Sequence, residues 1–273
     1  MLRNVVYGVV CLFLLSACGE GQMVANEKVS SVGLDTTIDG EEQVARNEGA
    51  VIERENADGK MEIFVTANAR DVSQCLRTKR CVGMNLRYAN LRGKNLSGAD
   101  LRYADLRYAD LRGTNLNYAK IQYSNLRYAM LNNASLKYAN LAYTKLTYAE
   151  LNRVKAHYAN MSYADLKYVE LTDAQMPYVN LNYSDLHYAE GRRVNLRYAR
   201  MYDTDLPYAE LISSDLSYAR SYYSNLNYAD LRGSRLVHTL LSRASFYLTD
   251  LRNTTQTGIK IRGGYHLASA RLY

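Results

Sequence analysis

The feature that most constrains this 273-residue chain is an apolar residue recurring at every fifth position. The period begins at Leu86 and runs to Leu251, giving thirty-four centres, of which thirty-one are Leu, Ile, Met or Phe. A small residue stands two positions before almost every centre. A period of five fits neither the 3.6-residue helix nor the two-residue strand. It predicts short extended segments joined by corners, which wind into a solenoid.

The tyrosines give the number of sides. Twenty of the chain's 26 Tyr lie two positions after a centre. They fall into columns in which successive positions are 20 residues apart. One column includes Tyr128, Tyr148, Tyr168 and Tyr188. Another column, from Gly93 through to position 253, contains no Tyr at all. A 20-residue repeat over a five-residue unit predicts four sides per coil.

The units also carry a recognisable motif. Ala89-Asn90-Leu91, Ala99-Asp100-Leu101 and Ala229-Asp230-Leu231 follow the pattern Ala-(Asp/Asn)-Leu-x-x, which resembles the pentapeptide-repeat family across residues 84–251. The resemblance implies an all-β fold, a right-handed quadrilateral β-helix of about eight coils with Leu and Ala inside. Three centres depart from the pattern, and we expect underpacked positions there. They are Ala156, Gly191 and Ser221.

The N-terminus has the pattern of an export signal. Arg3 precedes an uncharged apolar run, Val5 to Leu15, whose 11 residues are too few to span a bilayer. Leu15-Ser16-Ala17-Cys18 then resembles the bacterial lipobox. The resemblance implies removal of residues 1–17, lipidation of Cys18 and a membrane anchor made of acyl chains. In lipoproteins of this kind an Asp directly after the cysteine resembles an inner-membrane retention signal. This chain has Gly19 there, so the resemblance favours an anchor in the outer membrane.

Composition divides the rest of the chain. Residues 18–60 are polar and acidic and are predicted to be a flexible tether, with a short helix possible over 41–56. Residues 61–83 are predicted to be an N-terminal cap, with a strand over 61–67. The β-helix is assigned to 84–253, and 254–273, which breaks the register, to a C-terminal cap.

Two cysteines remain near the start of the repeat. Cys75 and Cys81 have five residues between them in a chain with an export signal, which favours a disulfide. Half of a metal site is the alternative, although no His lies near.

Three outer surfaces are candidates for binding. The Tyr columns stabilise the coils or form an aromatic wall for a glycan or protein partner. Carboxylates one coil apart repel, so an acidic stripe requires neutralisation. Arg153, Arg192 and Arg193 are one source of it, and Ca²⁺ or a basic partner are the alternatives. A basic group on the first coils faces solvent or anionic lipid. The stripe includes Glu150, Glu170, Glu190 and Glu210.

These features favour a non-enzymatic, lipid-anchored envelope protein that acts as scaffold or binding surface. No phosphate loop or His-Glu-x-x-His motif is present, and the four His do not share a column, so no catalytic residue is assigned. A glycan-binding or adhesion module is the alternative. A DNA-mimic that protects a topoisomerase is a third hypothesis, against which stand the export signal and the repeat's 21 basic and 15 acidic residues. The sequence does not define the oligomeric state.

Overall fold

The computed structural model describes residues 51–55, 61–65, 68–263 and 269–270. The predicted signal peptide, Cys18 and the tether up to residue 50 lie outside these residues. No helix in the described part of the chain has the length and apolar character needed to cross a bilayer.

A β-hairpin precedes the repeat. Strand β1 (Val51–Glu55) pairs antiparallel with strand β2 (Met61–Val65), so that Val51 lies opposite Val65. The predicted helix over 41–56 is therefore wrong for residues 51–55, and the predicted tether ends before residue 60. The error arose because a five-residue segment was judged alone, whereas a strand is stabilised by the partner with which it pairs.

A single helix, α1 (Ala69–Thr78), leads into the first coil. The Asn68 side chain caps it by accepting hydrogen bonds from the backbone N–H groups of Arg70 and Asp71. Lys79, in the left-handed conformation, ends it. Cys75 in the helix and Cys81 in the first coil form a disulfide, with Cα atoms 4.9 Å apart.

The coils pair through a ladder with a constant register. Each residue just before a centre forms a parallel bridge to the residue 20 positions later, beginning with Arg80 and Asp100 and continuing to Arg235 and Thr255. Leu86 N–H, for example, donates to the carbonyl of Asp105 at 2.7 Å. The predicted 20-residue coil is thus what the backbone forms, in agreement with the β-helix expected from the sequence.

Every corner uses a left-handed residue. All thirty-four positions two residues after a centre have φ between 50° and 69°, and twenty of these residues are Tyr. In most units the next N–H donates back to the centre's carbonyl, as from Ala89 to Leu86 at 3.1 Å. One positive φ at the third position of such a turn is the type II geometry, which normally selects Gly or Asn. Tyr here is therefore held in a strained conformation.

The core consists of the centres and the small residues two positions earlier. The Leu centres are at most 2% exposed, and the buried Ala residues two positions before a centre are at most 1% exposed. Ser and Thr at the small position keep their hydroxyls paired. Thr114 Oγ1, for instance, donates to the carbonyl of Leu91 in the coil before, at 2.7 Å.

Five short strands stand out from the bridges in the second half of the repeat. They are β3 (Glu190–Arg192), β4 (Glu210–Ile212), β5 (Arg220–Tyr222), β6 (Leu240–Ser242) and β7 (Lys260–Arg262). β3 pairs with β4, and β5, β6 and β7 form one parallel sheet. At Gly191 the expected underpacking is not found, because a Cβ there would lie 2.6 Å from Val194 Cγ2. The Val194 side chain fills the space that a larger centre would occupy.

The repeat extends beyond both predicted ends. Cys81 is a buried centre and Gly83 its left-handed corner, one unit before residue 84. At the other end, β7 continues the ladder, and Gly258 and Gly263 take the corner conformation, so the predicted break at 254 is wrong. The polar Gln256 at a centre position hides this last part of the period in the sequence.

Candidate binding surface

Three of the four corners carry columns of stacked tyrosine rings. We call them the first column (Tyr88 to Tyr228), the second column (Tyr118 to Tyr218) and the third column (Tyr103 to Tyr183, then Tyr223). Stacked neighbours have centroids 4.6–5.1 Å apart and interplanar angles of at most 12°. Each ring therefore covers the face of the next.

Stacking determines what the columns present to a ligand. Tyr128, Tyr148, Tyr168 and Tyr188 lie consecutively in the first column, with the exposed fraction of each between 40% and 43%. Because their faces are in contact with one another, the exposed part of each ring is its edge and hydroxyl. A sugar ring that stacks on an aromatic face finds no free face along the column.

The gap in the third column is filled by a neighbouring Tyr, which the sequence analysis missed. Asp203 interrupts it, but the ring of Tyr202 lies edge-on between Tyr183 (5.3 Å) and Tyr223 (5.5 Å). A Tyr beside a missing corner Tyr is the signal that could have predicted this arrangement.

The acidic stripe lies between the first column and the corner without Tyr. Asn132 Nδ2 donates to Glu150 Oε2 at 2.6 Å, and Asn152 Nδ2 donates to Glu170 Oε2 at 2.8 Å. Glu190 and Glu210 have no ion-pair partner within the described ranges. The stripe is thus stabilised in part by amide donors from the preceding coil, 18 residues earlier.

The arginines expected to neutralise this stripe pair elsewhere. Arg193 Nε lies 2.7 Å and Arg153 Nε 3.8 Å from the carboxylate of Asp173. These guanidinium groups lower the pKa of Asp173, through the hydrogen bond from Arg193 first. All three residues occupy one corner column at intervals of 20, so the register itself could have predicted the pairing.

A polar cavity of about 610 Å³ follows this corner. Its lining includes Asn132, Asn152, Arg153, Glu170, Asp173 and Glu190. In the part of the chain that the structure describes, no group of three or more His, Cys, Asp or Glu is arranged to hold a metal ion.

A second acidic surface, the aspartate face, lies between the third and first columns. Its outward column contains Asp165, Asp185 and Asp205. Burial acts to raise the pKa of Asp185, but hydrogen bonds from Lys167 Nζ (2.9 Å) and from His187 outweigh it and lower the pKa. Asp205 lacks such a cation, so partial desolvation and repulsion from Asp185 raise its pKa.

The amide face lies between the second and third columns. Its outward column runs through Asn140, Asn160 and Asn180. Asn160 Nδ2 donates to Asn140 Oδ1 at 3.2 Å, and Asn180 Nδ2 donates to Asn160 Oδ1 at 3.0 Å. Each amide oxygen also accepts a backbone N–H two residues later, as from Ser162 to Asn160 at 3.2 Å. This leaves one amide N–H per asparagine directed away from the ladder.

The basic group on the first coils is partly neutralised. Arg102, Arg107 and Arg112 form close ion pairs with the aspartates two residues before them. Lys79 Nζ donates to the carbonyl of Ser97 at 3.0 Å. The Arg87 guanidinium lies 5.4 Å from the centroid of Tyr88. The remaining members are Arg77, Arg80, Arg92 and Arg127.

The histidines within the described residues are spread over different positions. His157 and His187 lie one residue before a second-column corner and a first-column corner, and His238 is itself a second-column corner. Burial, with Lys137 and Lys155 nearby, lowers the pKa of His157. His187 contacts Asp185, and His238 continues the second column beside Tyr218.

The geometry defines a solenoid of five-residue units with four left-handed corners per coil. The sequence model for pentapeptide repeats matches in eight copies, at residues 80–117, 115–153, 134–173 and 224–255. Over these residues the chain is similar to the pentapeptide-repeat family.

Three solved structures with some likeness to this chain have TM-scores below 0.5. HetL, a pentapeptide repeat protein involved in heterocyst differentiation regulation from the cyanobacterium Nostoc sp. strain PCC 7120, is 25% identical, over 73% of this chain and 94% of its own, with a TM-score of 0.30. A trypsin-treated form of QnrB1, a plasmid-mediated fluoroquinolone resistance protein, is 18% identical, over 70% and 88%, with a TM-score of 0.38. Rfr23 from the cyanobacterium Cyanothece 51142 is 17% identical, over 43% and 90%, with a TM-score of 0.29. No curated protein matches the chain.

Proposed function

We propose that this chain is a non-enzymatic protein of the bacterial envelope, anchored in the outer membrane through a lipid on Cys18. Its β-helix is presented as a scaffold or binding surface for an envelope protein or a glycan. The observation that carries the proposal is Leu15-Ser16-Ala17-Cys18 after an 11-residue apolar run, which resembles a lipobox. The right-handed winding and the number of coils belong to the same proposal.

The surface geometry supports a scaffold. The ladder pairs every coil with the next from Arg80 to Arg262, so outward side chains stand in fixed columns. Such a lattice repeats the same chemistry along one direction and suits an extended or repeating partner.

The other two hypotheses find less support. A glycan module that stacks sugars on the Tyr columns needs ring faces, and the stacked faces are covered. A DNA mimic needs a continuous acidic surface. Acidic columns stand on two of the four sides, the acidic stripe and the aspartate face, within a repeat of 21 basic and 15 acidic residues.

Fractionation tests the anchor. Cells producing the wild type or Cys18→Ala are labelled with an alkyne fatty acid, separated into soluble and membrane fractions, and shaved with protease. We expect label and membrane association in the wild type alone. Protease access in whole cells identifies an external surface, and protection identifies a periplasmic one. Unlabelled wild type in the soluble cytosolic fraction would refute the proposal.

A further inference from the structure

The amide face differs from the rest of the coil in charge. From Lys120 to Lys260 its outward column contains no acidic residue. Arg200, Arg220 and Lys260 have no ion-pair partner within the described ranges. These cations lie at the C-terminal end of the face, beyond the asparagine ladder.

Two arginines enlarge this positive end. Arg243 replaces Tyr at the third column's corner, and its Nη1 donates to the Tyr223 hydroxyl at 2.8 Å. Arg262 lies on β7 beside an open cavity of about 670 Å³, which is also lined by Lys260 and Tyr222. Among the described corners of the second and third columns, the one carboxylate is Asp203. Guanidinium and ammonium groups therefore line one end of the face with an excess of positive charge.

The face also has the shape of a trough. Its floor contains the asparagine ladder and small buried residues, with Ala142 7% and Ser162 9% exposed. Its walls are the second and third columns, where Tyr138 and Tyr143 are 50% and 46% exposed. The walls therefore stand above the floor on both sides, and the trough runs along the coil axis.

The trough offers hydrogen-bond donors along its length and positive charge at its C-terminal end. The asparagines retain an amide N–H each, the walls offer phenol hydroxyls, and the ring edges carry the positive part of the aromatic quadrupole. The complementary ligand is an extended chain with carboxylates and hydroxyls at short, regular intervals. We propose that the amide face binds a linear acidic polysaccharide.

Two other anionic partners fit less well. Single-stranded nucleic acid is held by bases that stack on aromatic faces, and here each face is covered by the next ring. An anionic bilayer is flat and is gripped by apolar side chains inserted beside basic ones. Around Asn140 and Asn160 the floor of this trough is polar, and Ala142 and Ser162 in it are far more buried than the Tyr walls.

The chain contains its own control surface. The aspartate face has Tyr columns on both sides, like the amide face, but its outward column carries Asp165, Asp185 and Asp205. Lys145 stands in that column, exposed and without an ion-pair partner in the described part of the chain. A charge reversal at Lys145 changes the protein's net charge without touching the amide face.

The test uses full-length protein in mild detergent and polygalacturonate as the probe, measured by calorimetry with neutral dextran as the control polymer. We expect binding to polygalacturonate that weakens with salt and no binding to dextran. Arg200→Glu combined with Arg220→Glu should weaken binding about tenfold or more, whereas Lys145→Glu should change it by less than about twofold. In the floor, Asn160→Asp should weaken binding and Asn125→Asp, on the aspartate face, should not.

Melting curves ensure that each variant is folded. Equal losses for the amide-face and aspartate-face variants, or no binding of polygalacturonate by the wild type, would overturn the proposal. So would tighter binding to single-stranded DNA or to phosphatidylglycerol vesicles that depends on the same arginines. The inference goes beyond the proposed function, since binding in detergent does not depend on Cys18, and the two can fail separately.

Discussion

The corner tyrosines combine an unfavourable backbone conformation with a favourable stack, and Tyr148 allows the two to be separated. Its φ is 61°, and its ring stacks on Tyr128 (5.1 Å) and Tyr168 (4.8 Å). A stacked aromatic pair contributes about 0.5–1.5 kcal/mol beyond buried area, so Tyr148→Ala should lower the free energy of unfolding by about 1–3 kcal/mol. Ala keeps the left-handed strain of about 1–2 kcal/mol.

Tyr148→Gly loses the same stacks but removes that strain. Gly also adds freedom to the unfolded chain, which offsets about 0.4–1 kcal/mol of the gain. The net expectation places Gly above Ala by about 1 kcal/mol, or roughly 2–4 °C in Tm. Both remain below the wild type.

Thermal unfolding followed by circular dichroism measures the order. Tyr103 is the control, because it begins the third column and stacks only on Tyr123 among the described residues. Tyr103→Ala should therefore lose about half as much as Tyr148→Ala. If Tyr148→Gly melts no higher than Tyr148→Ala, the argument from backbone strain is wrong. If Tyr148→Ala melts with the wild type, the stacks do not stabilise the fold.

Three further predictions concern charge and packing, each followed by thermal melts. Asp205→Asn should raise the free energy of unfolding by about 0.5 kcal/mol at pH 7 and leave it unchanged at pH 3. The pKa of Asp205 is raised in the folded state, so its charged carboxylate destabilises the fold at pH 7, and this cost is absent at low pH, where the group is protonated in both states. An equal gain at both pH values would contradict this reasoning. Asp110→Asn should lower stability by about 1–2 kcal/mol at pH 7 and have no effect at pH 2. Burial alone would raise the pKa of Asp110, but hydrogen bonds from Arg112 lower it, so its stabilisation is present above its unfolded pKa and lost as pH falls through the folded one. Gly191→Ala should destabilise by about 1–3 kcal/mol, because the new Cβ meets Val194 Cγ2, and Val194→Ala should restore part of the loss; an unchanged Tm for Gly191→Ala would refute the packing account.

The inward half of this fold could be predicted from the sequence, because periodicity reports which residues are buried. An apolar residue, mostly Leu, at every fifth position and Tyr recurring every 20 residues were sufficient to predict the coil and its corners. The ends were harder to predict. Gln256 is polar at a centre position, yet the ladder holds it in register through neighbouring backbone groups such as Thr255 N–H, which donates to Ser234.

The outward half follows a second rule, which period alone does not express. A side chain one residue after a centre meets the outward residue 18 positions later, as Asn132 meets Glu150 and Thr147 meets Asp165. Residues 20 apart meet directly, as Asp173 meets Arg193. Which of these contacts forms depends on side-chain length and rotamer. The register therefore limits the candidate partners of an acid or base to a few, and the structure selects among them.

A coil of this kind does not require charge segregation between its faces in order to be stable. Leucine and alanine satisfy the core, and outward Asn and Asp accept the backbone N–H two residues later equally well, as Asn160 and Asp165 do. Aspartates placed one coil apart repel, and partial burial first and repulsion from Asp185 second raise the pKa of Asp205. The chain nevertheless collects acids between the third and first columns and donors and cations between the second and third. An arrangement that stability does not require, and in part opposes, indicates that the amide face is organised for a partner outside the molecule.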